Sequence, residues 1–276
     1  MFLLTTSLII LAAGYITLVA LVFFHQERLA YFPQPGLFES PENWGYTYED
    51  VWLDTADGVR IHGWYVPAAE PRGAAIFFHG NGNNIDSNAH ELRALQLFGF
   101  NTLMLDYRGY GLSEGSPIEA GLYHDADAAW RYMTETRGIA PKSIVLVGQS
   151  LGGGVATYLA QQHDVAGVVL MATFTSMADV GAEHYSFLPV HLLSRNRYPS
   201  LARLPDIQAP LLIIHSRDDR TIGFSHAERL YAAANEPKTL IALDGYGHGV
   251  GLGTALIDHT PEVEHFFASL PLPAMQ

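Results

Sequence analysis

Cysteine is absent from this 276-residue chain, which removes disulfides, thiol catalysis and cysteine-zinc sites from consideration. Basic residues are scarce: 15 Lys and Arg stand against 28 Asp and Glu, a formal charge of −13. That balance repels a polyanion, so nucleic acid is not an expected partner. Neither G-x-x-x-x-G-K-[ST] nor G-x-G-x-x-G occurs, which argues against nucleotide binding. H-E-x-x-H is missing too, and no other histidine pair has metal-ligand spacing, so neither a metal nor a cofactor is expected. Charged residues make up only 16% of the chain and hydrophobic ones 49%, which excludes a disordered chain and is compatible with membrane contact.

What is present begins with an apolar run. Phe2 to Phe24 carries no charged side chain and as a helix would be about 35 Å long, enough to cross a bilayer core of about 30 Å. His25, Glu27 and Arg28 end it, and Phe23, Phe24, Tyr31 and Phe32 suit an interface. A cleaved secretory signal is the competing reading, but it expects basic residues before a shorter apolar core, and nothing basic precedes Arg28. Residues 1–25 are therefore read as a single-pass membrane anchor, with too little flanking charge to give the side. Pro33, Pro35, Gly36 and Pro41 mark residues 26–45 as a linker, and residues 46–276 as one domain of ordinary length.

Tyr46 to Leu53 and Val59 to Val66 alternate in hydrophobicity around an Asp57-Gly58 turn, which predicts an antiparallel hairpin at a sheet edge. From Gly73 onward, short apolar runs alternate with helical spacing, the pattern of βαβ units and a parallel sheet. Strands are predicted at 74–78, 102–106, 144–148, 165–171, 211–215 and 239–243. Helices are predicted at 85–98, 119–136, 151–162, 224–234 and 258–270. Residues 172–209, rich in proline and aromatics, read as a short cap over the strand ends.

The most informative stretch follows the apolar run Ile144 to Val147, where Gly148-Gln149-Ser150-Leu151-Gly152 reads G-x-S-x-G. A serine between strand and helix sits on a tight turn with its hydroxyl exposed, and the Leu151 amide can face a developing oxyanion. His79-Gly80-Asn81-Gly82 ends an earlier strand and offers the Asn81 amide as a second donor, although an ordinary Gly-Asn turn reads the same way. His215-Ser216-Arg217-Asp218-Asp219 supplies a carboxylate at another strand end; Asp219 is preferred and Asp218 is the alternative. His248 stands among glycines after the last strand, and an imidazole can accept and return a proton near neutrality. The order Ser150, Asp219, His248, each after its own strand, is that of the α/β-hydrolase fold rather than of the chymotrypsin or subtilisin types.

From Tyr46 to Leu270 the chain resembles the α/β-hydrolase superfamily and, more narrowly, its membrane-anchored, short-capped group related to acyl-protein thioesterases. The similar segments include His79-Gly-Asn-Gly-Asn83, Asp106-Tyr-Arg-Gly-Tyr-Gly-Leu-Ser-Glu-Gly115, Gly148-Gln-Ser-Leu-Gly-Gly153 and Gly247-His248. Ser216, Gly223 and Gly82 depart from the group's usual Gly, Pro and Ala without removing a catalytic atom. The resemblance supports Asp219 as the acid, four residues after His215. It implies an α/β fold with a mostly parallel central sheet, antiparallel N-terminal strands, helices on both faces and a short cap. It further implies a serine hydrolase cleaving small-molecule or lipid-like carboxylic esters or thioesters through an acyl-enzyme on Ser150. A serine peptidase, an acyltransferase and a catalytically silent, membrane-tethered binding domain are the alternatives, since folds are reused.

Overall fold

The computed structural model describes residues 2–273. Helix α1 (Phe2–Ala30) runs past Phe24. A two-residue strand β1 (Phe32–Pro33) follows, and then the hairpin β2 (Glu49–Asp54) and β3 (Arg60–Val66). Thereafter strands and helices alternate: β4 (Gly73–Phe78), the short β5 (Gly82–Asn83), α2 (Ala89–Leu97), β6 (Phe100–Leu105), α3 (Glu119–Arg131), β7 (Ile144–Gln149), α4 (Leu151–Gln162) and β8 (Gly167–Met171). Three short helices, α5 (Met177–His184), α6 (Val190–Leu193) and α7 (Ser200–Arg203), occupy the region expected to cap the sheet. The chain finishes with β9 (Leu211–Ser216), α8 (Ser225–Ala233), β10 (Lys238–Leu243), α9 (Leu252–Asp258) and α10 (Thr260–Ser269).

Eight strands form one sheet in the order β10-β9-β8-β7-β4-β6-β3-β2, parallel from β10 to β6 and antiparallel at β3 and β2. Strand residues alternate between the two faces because successive side chains point opposite ways. On β7, Ile144 and Leu146 join one core with Leu122 of α3, Val155 and Leu159 of α4 and Leu230 of α8. Val145 and Val147 join the other, with Leu95 of α2, Leu252 of α9 and Phe267 of α10. Burial on both faces explains why these strands read as continuous apolar runs.

Four local readings are revised. Of the hairpin only β2 lies at a sheet edge; β3 lies between β2 and β6 and is buried along almost its whole length. The helical run expected over 119–136 leaves α geometry after Arg131, and the five residues Tyr132–Thr136 form a wider π turn. Helix α9 had no signal of its own, because Gly251 and Gly253 stand where a start signal would be sought. The stretch read as a linker carries β1, which pairs in parallel with β5 through Phe32–Gly82 and Pro33–Asn83.

Candidate active site

The turn from β7 to α4 holds Ser150 at φ 50° and ψ −114°. A non-glycine residue in this region is strained by about 1–3 kcal/mol, so the surroundings must enforce it. They do so with hydrogen bonds on both sides: the Ser150 amide donates to the Met171 carbonyl at 2.8 Å, and the Thr173 hydroxyl donates to the Ser150 carbonyl at 2.7 Å. Packing explains the flanking glycines. A Cβ on Gly152 would lie 1.9 Å from the Phe78 carbonyl oxygen, and one on Gly148 would lie 2.4 Å from that of Gly152.

Asp219 follows β9 and is buried. Its Oδ1 accepts the amides of Thr221 and Ile222 at 2.8 and 2.9 Å, which turns Oδ2 toward the imidazoles. His248 Nδ1 donates to Oδ2 at 2.7 Å, and His215 Nε2 lies 3.4 Å away while donating to the Ile222 carbonyl. Burial alone would raise the pKa of Asp219, but the bonds from His215, His248 and the Ile222 amide outweigh it. The carboxyl is held well below the usual carboxylate range and stays ionised. Asp218, the alternative acid, turns away and accepts from the Ser216 hydroxyl and the Gly245 amide.

With Nδ1 committed to a carboxylate, Nε2 of His248 is left as the acceptor, and the Ser150 hydroxyl stands 3.1 Å from it. The three side chains chosen from the sequence thus form one continuous hydrogen-bonded line across three strand ends. Leu151 opens α4, where its amide lacks an intrahelical acceptor by position. Asn81 shares a polar pocket of about 270 Å³ with Ser150, His248, Gly80, Asn83 and Asn88.

Residues that sequence reasoning did not single out hold Asn81. Its side-chain amide donates to the Ala30 carbonyl at 3.1 Å, and its own carbonyl accepts from the Phe32 amide at 2.9 Å and the Tyr110 hydroxyl at 2.8 Å. Nothing in the sequence pairs Ala30 or Phe32 with Asn81. Tyr110 lies in the Asp106–Gly115 segment, whose tyrosines were the available signal. Beneath the pocket, burial lowers His79 to a pKa of about 4, so its ring is neutral and its Nδ1 donates to the Gly80 carbonyl. Burial also raises Asp106 to about 8 against the bond from the Ile85 amide. Arg108 stiffens the same segment from outside, bonded to Asp57 at 2.7 Å and to Asp125 at 2.9 Å.

Comparison with known proteins is consistent with this geometry. A family model described as alpha/beta hydrolase fold matches residues 74–202. A Mycobacterium tuberculosis protein of uncharacterised activity is 38% identical over 241 residues, covering 87% of this chain and 85% of its own. The alpha/beta hydrolase domain-containing protein WAV2 of Arabidopsis thaliana is 34% identical over 239 residues, 78% of either chain. Among solved structures, the Pyrococcus furiosus esterase Pf2001 superposes with a TM-score of 0.72 at 20% identity, over 87% of this chain and 99% of its own.

Proposed function

The chain belongs to the α/β-hydrolase fold family, and from that membership we infer that it is a serine hydrolase acting on carboxylic esters or thioesters. One observation carries the reading: Ser150, His248 and Asp219 joined in a line at 3.1 and 2.7 Å, with the serine on a strained turn. Ser150 attacks the acyl carbon while His248 Nε2 takes its proton, and the ionised Asp219 keeps Nδ1 protonated and stabilises the imidazolium. The amides of Leu151 and Asn81 receive the oxyanion. His248 then protonates the leaving group, and water, activated by the same ring, releases the acid.

The esterase among the structural neighbours lends support to ester rather than amide chemistry, and the relation to acyl-protein thioesterases stays part of this proposal. So does the anchor. Among the described residues one helix, α1, is long and apolar enough to cross a membrane. Its last turns are bonded to the rest of the protein: Gln26 accepts the Arg195 amide at 2.7 Å, Glu27 pairs with the Arg195 guanidinium, and Tyr31 bonds to Tyr198 and Asn196. A segment built into the fold in this way supports retention rather than cleavage. On this reading residues 1–25 anchor the protein, 26–45 dock the anchor onto it, and 46–276 form the hydrolase domain with 172–209 as its cap.

A fluorophosphonate probe applied to the full chain tests the reading. Wild type is expected to label and Ser150→Ala not to; a folded wild type that stays unlabelled would instead favour a silent binding domain.

A further inference from the structure

Beside the polar pocket lies a second cavity of about 410 Å³, within the range of small-molecule sites. One wall is α1 and the residues after it, through Val22, Phe23, Leu29 and Phe32; the other is the cap, through Met177, Val180, Leu188 and Leu193. Asn81 lines this cavity and also the pocket around Ser150, so the two spaces share one residue.

Most polar side chains that line this groove are already engaged with its walls, Tyr185 and Thr221 being the exceptions. Gln26 donates to the carbonyls of Phe23 and Leu193 and accepts from Arg195, His184 Nε2 donates to the Thr221 carbonyl, and Ser194 donates to the Asn196 carbonyl. Asn196 Oδ1 takes the Tyr31 hydroxyl and the Glu119 amide, while its Nδ2 is buried without a hydrogen-bond partner, the one buried donor of the lining left unpaired among the described residues. An occupant therefore gains by burying apolar surface and finds few free hydrogen-bond partners, which selects hydrocarbon.

The position of the groove along α1 points to where that hydrocarbon comes from. The Tyr15 hydroxyl donates to the Phe187 carbonyl at 2.9 Å, so the cap lies against the helix about 22 Å from Ala30. Tyr15 sits near the middle of the apolar run, and the neighbouring cap residues Phe187 and Leu192 are 59% and 84% exposed. On α1 the lining of the groove begins at Val22, in the last turn of the apolar run, so if α1 spans a bilayer the groove lies at the membrane boundary, within reach of the acyl chains.

We propose that the groove between α1 and the cap is the acyl-chain site of this hydrolase: a long-chain fatty acyl ester enters from the bilayer, its chain lies between the two walls, and its carbonyl reaches Ser150 past Asn81. The membrane helix is thus a specificity wall of the site as well as an anchor. This rests on Ser150 being the nucleophile.

The test compares kcat/KM of the detergent-solubilised full chain for p-nitrophenyl laurate and butyrate. Val22→Trp and Val180→Trp fill the groove from opposite walls and are expected to lower the laurate-to-butyrate ratio at least tenfold. Leu21→Trp, on the exposed side of α1 at 54% exposure, is expected to leave the ratio within twofold of wild type. An unchanged ratio in both filled variants, each still labelled by fluorophosphonate, overturns the proposal. So does a wild type that cleaves butyrate and not laurate. If either filled variant fails to fold, the other decides. If both fail, wild type decides alone: myristate is expected to slow fluorophosphonate labelling at concentrations where butyrate does not, and equal slowing overturns the proposal. Hydrolysis surviving in Ser150→Ala strikes instead at the nucleophile beneath it.

Discussion

The two cavities that share Asn81 are built on opposite principles. The polar pocket is assembled from the loops after β4, β7 and β10, with Asp219 at the end of β9 behind His248, short segments set on a rigid parallel sheet. The apolar groove is assembled from α1 and the two short cap helices α5 and α6, held together at their rims by a few bonds such as those of Tyr31 and Gln26. Chemistry needs reacting atoms positioned to a fraction of an ångström, whereas hydrocarbon needs only a shape to fill. Perturbing the first should therefore change kcat for every substrate, and perturbing the second should change which substrate is preferred.

The largest effect is expected at Asp219. Asp219→Asn keeps the volume but offers His248 Nδ1 an amide, which favours the wrong tautomer and removes the charge opposite the imidazolium. A fall in kcat of about 10⁴-fold is expected, equal for butyrate and laurate. Steady-state kinetics on both esters checks it; a loss confined to one ester would mean that the two cavities are not separable in this way.

A smaller effect tests the shared residue. Asn81→Ala leaves the backbone amide in place but removes the bond to the Ala30 carbonyl, and Tyr110→Phe removes the bond to the Asn81 carbonyl. One hydrogen bond contributes about 1 kcal/mol, so each change is expected to lower kcat roughly fivefold with little change in KM for butyrate. Rates within 1.5-fold of wild type in both variants would show that the sheet alone holds this loop and that the helix-to-loop bonds do not matter for turnover.

The same contrast explains what could be read from the chain. The catalytic line was legible because Ser150, Asp219 and His248 each follow an apolar strand and stand in a recognisable loop, whereas Ser87 and Asn88, which also line the pocket, fell inside a predicted helix. Gly148 and Gly152 flank Ser150 because backbone atoms come within 2.4 and 1.9 Å of where their Cβ atoms would be. Asp219 was preferred to Asp218 and the resemblance supported it, but what separates them physically is which carboxylate the Thr221 and Ile222 amides orient. The groove left no such trace. Val22 and Val180 are apolar residues in apolar company, and only the packing of α1 on the cap makes them neighbours. The bond from Phe32 to Asn81 lies within a stretch whose prolines read as a linker, although those prolines are compatible with the two-residue strand β1.

The smallest predicted effect concerns a support behind the polar pocket. Glu91, on α2 and only 7% exposed, accepts the Leu252 amide at 2.9 Å and so holds the chain just after His248. Burial raises its pKa from 4.5 to about 7, against the bonds from the Leu252 and Gly253 amides. Between those two values the folded protein binds a proton that the unfolded chain has released, so this group's contribution to stability is full below about pH 4.5 and is lost as pH rises through 7. The shift corresponds to at most roughly 3 kcal/mol. Asp106 and Asp125, also raised by burial, slope the same way, so the wild-type curve alone cannot isolate Glu91. The difference between wild type and Glu91→Gln can, because glutamine keeps an acceptor for the Leu252 amide and does not ionise. Thermal unfolding at pH 5 and pH 8 should show the fall in Tm on raising the pH to be about 5 °C smaller in Glu91→Gln than in wild type. The laurate-to-butyrate ratio should be unmoved by the substitution at either pH, since Glu91 touches the histidine loop and neither wall of the groove; parallel Tm curves for the two proteins would mean that the Glu91 carboxyl does not titrate in this window.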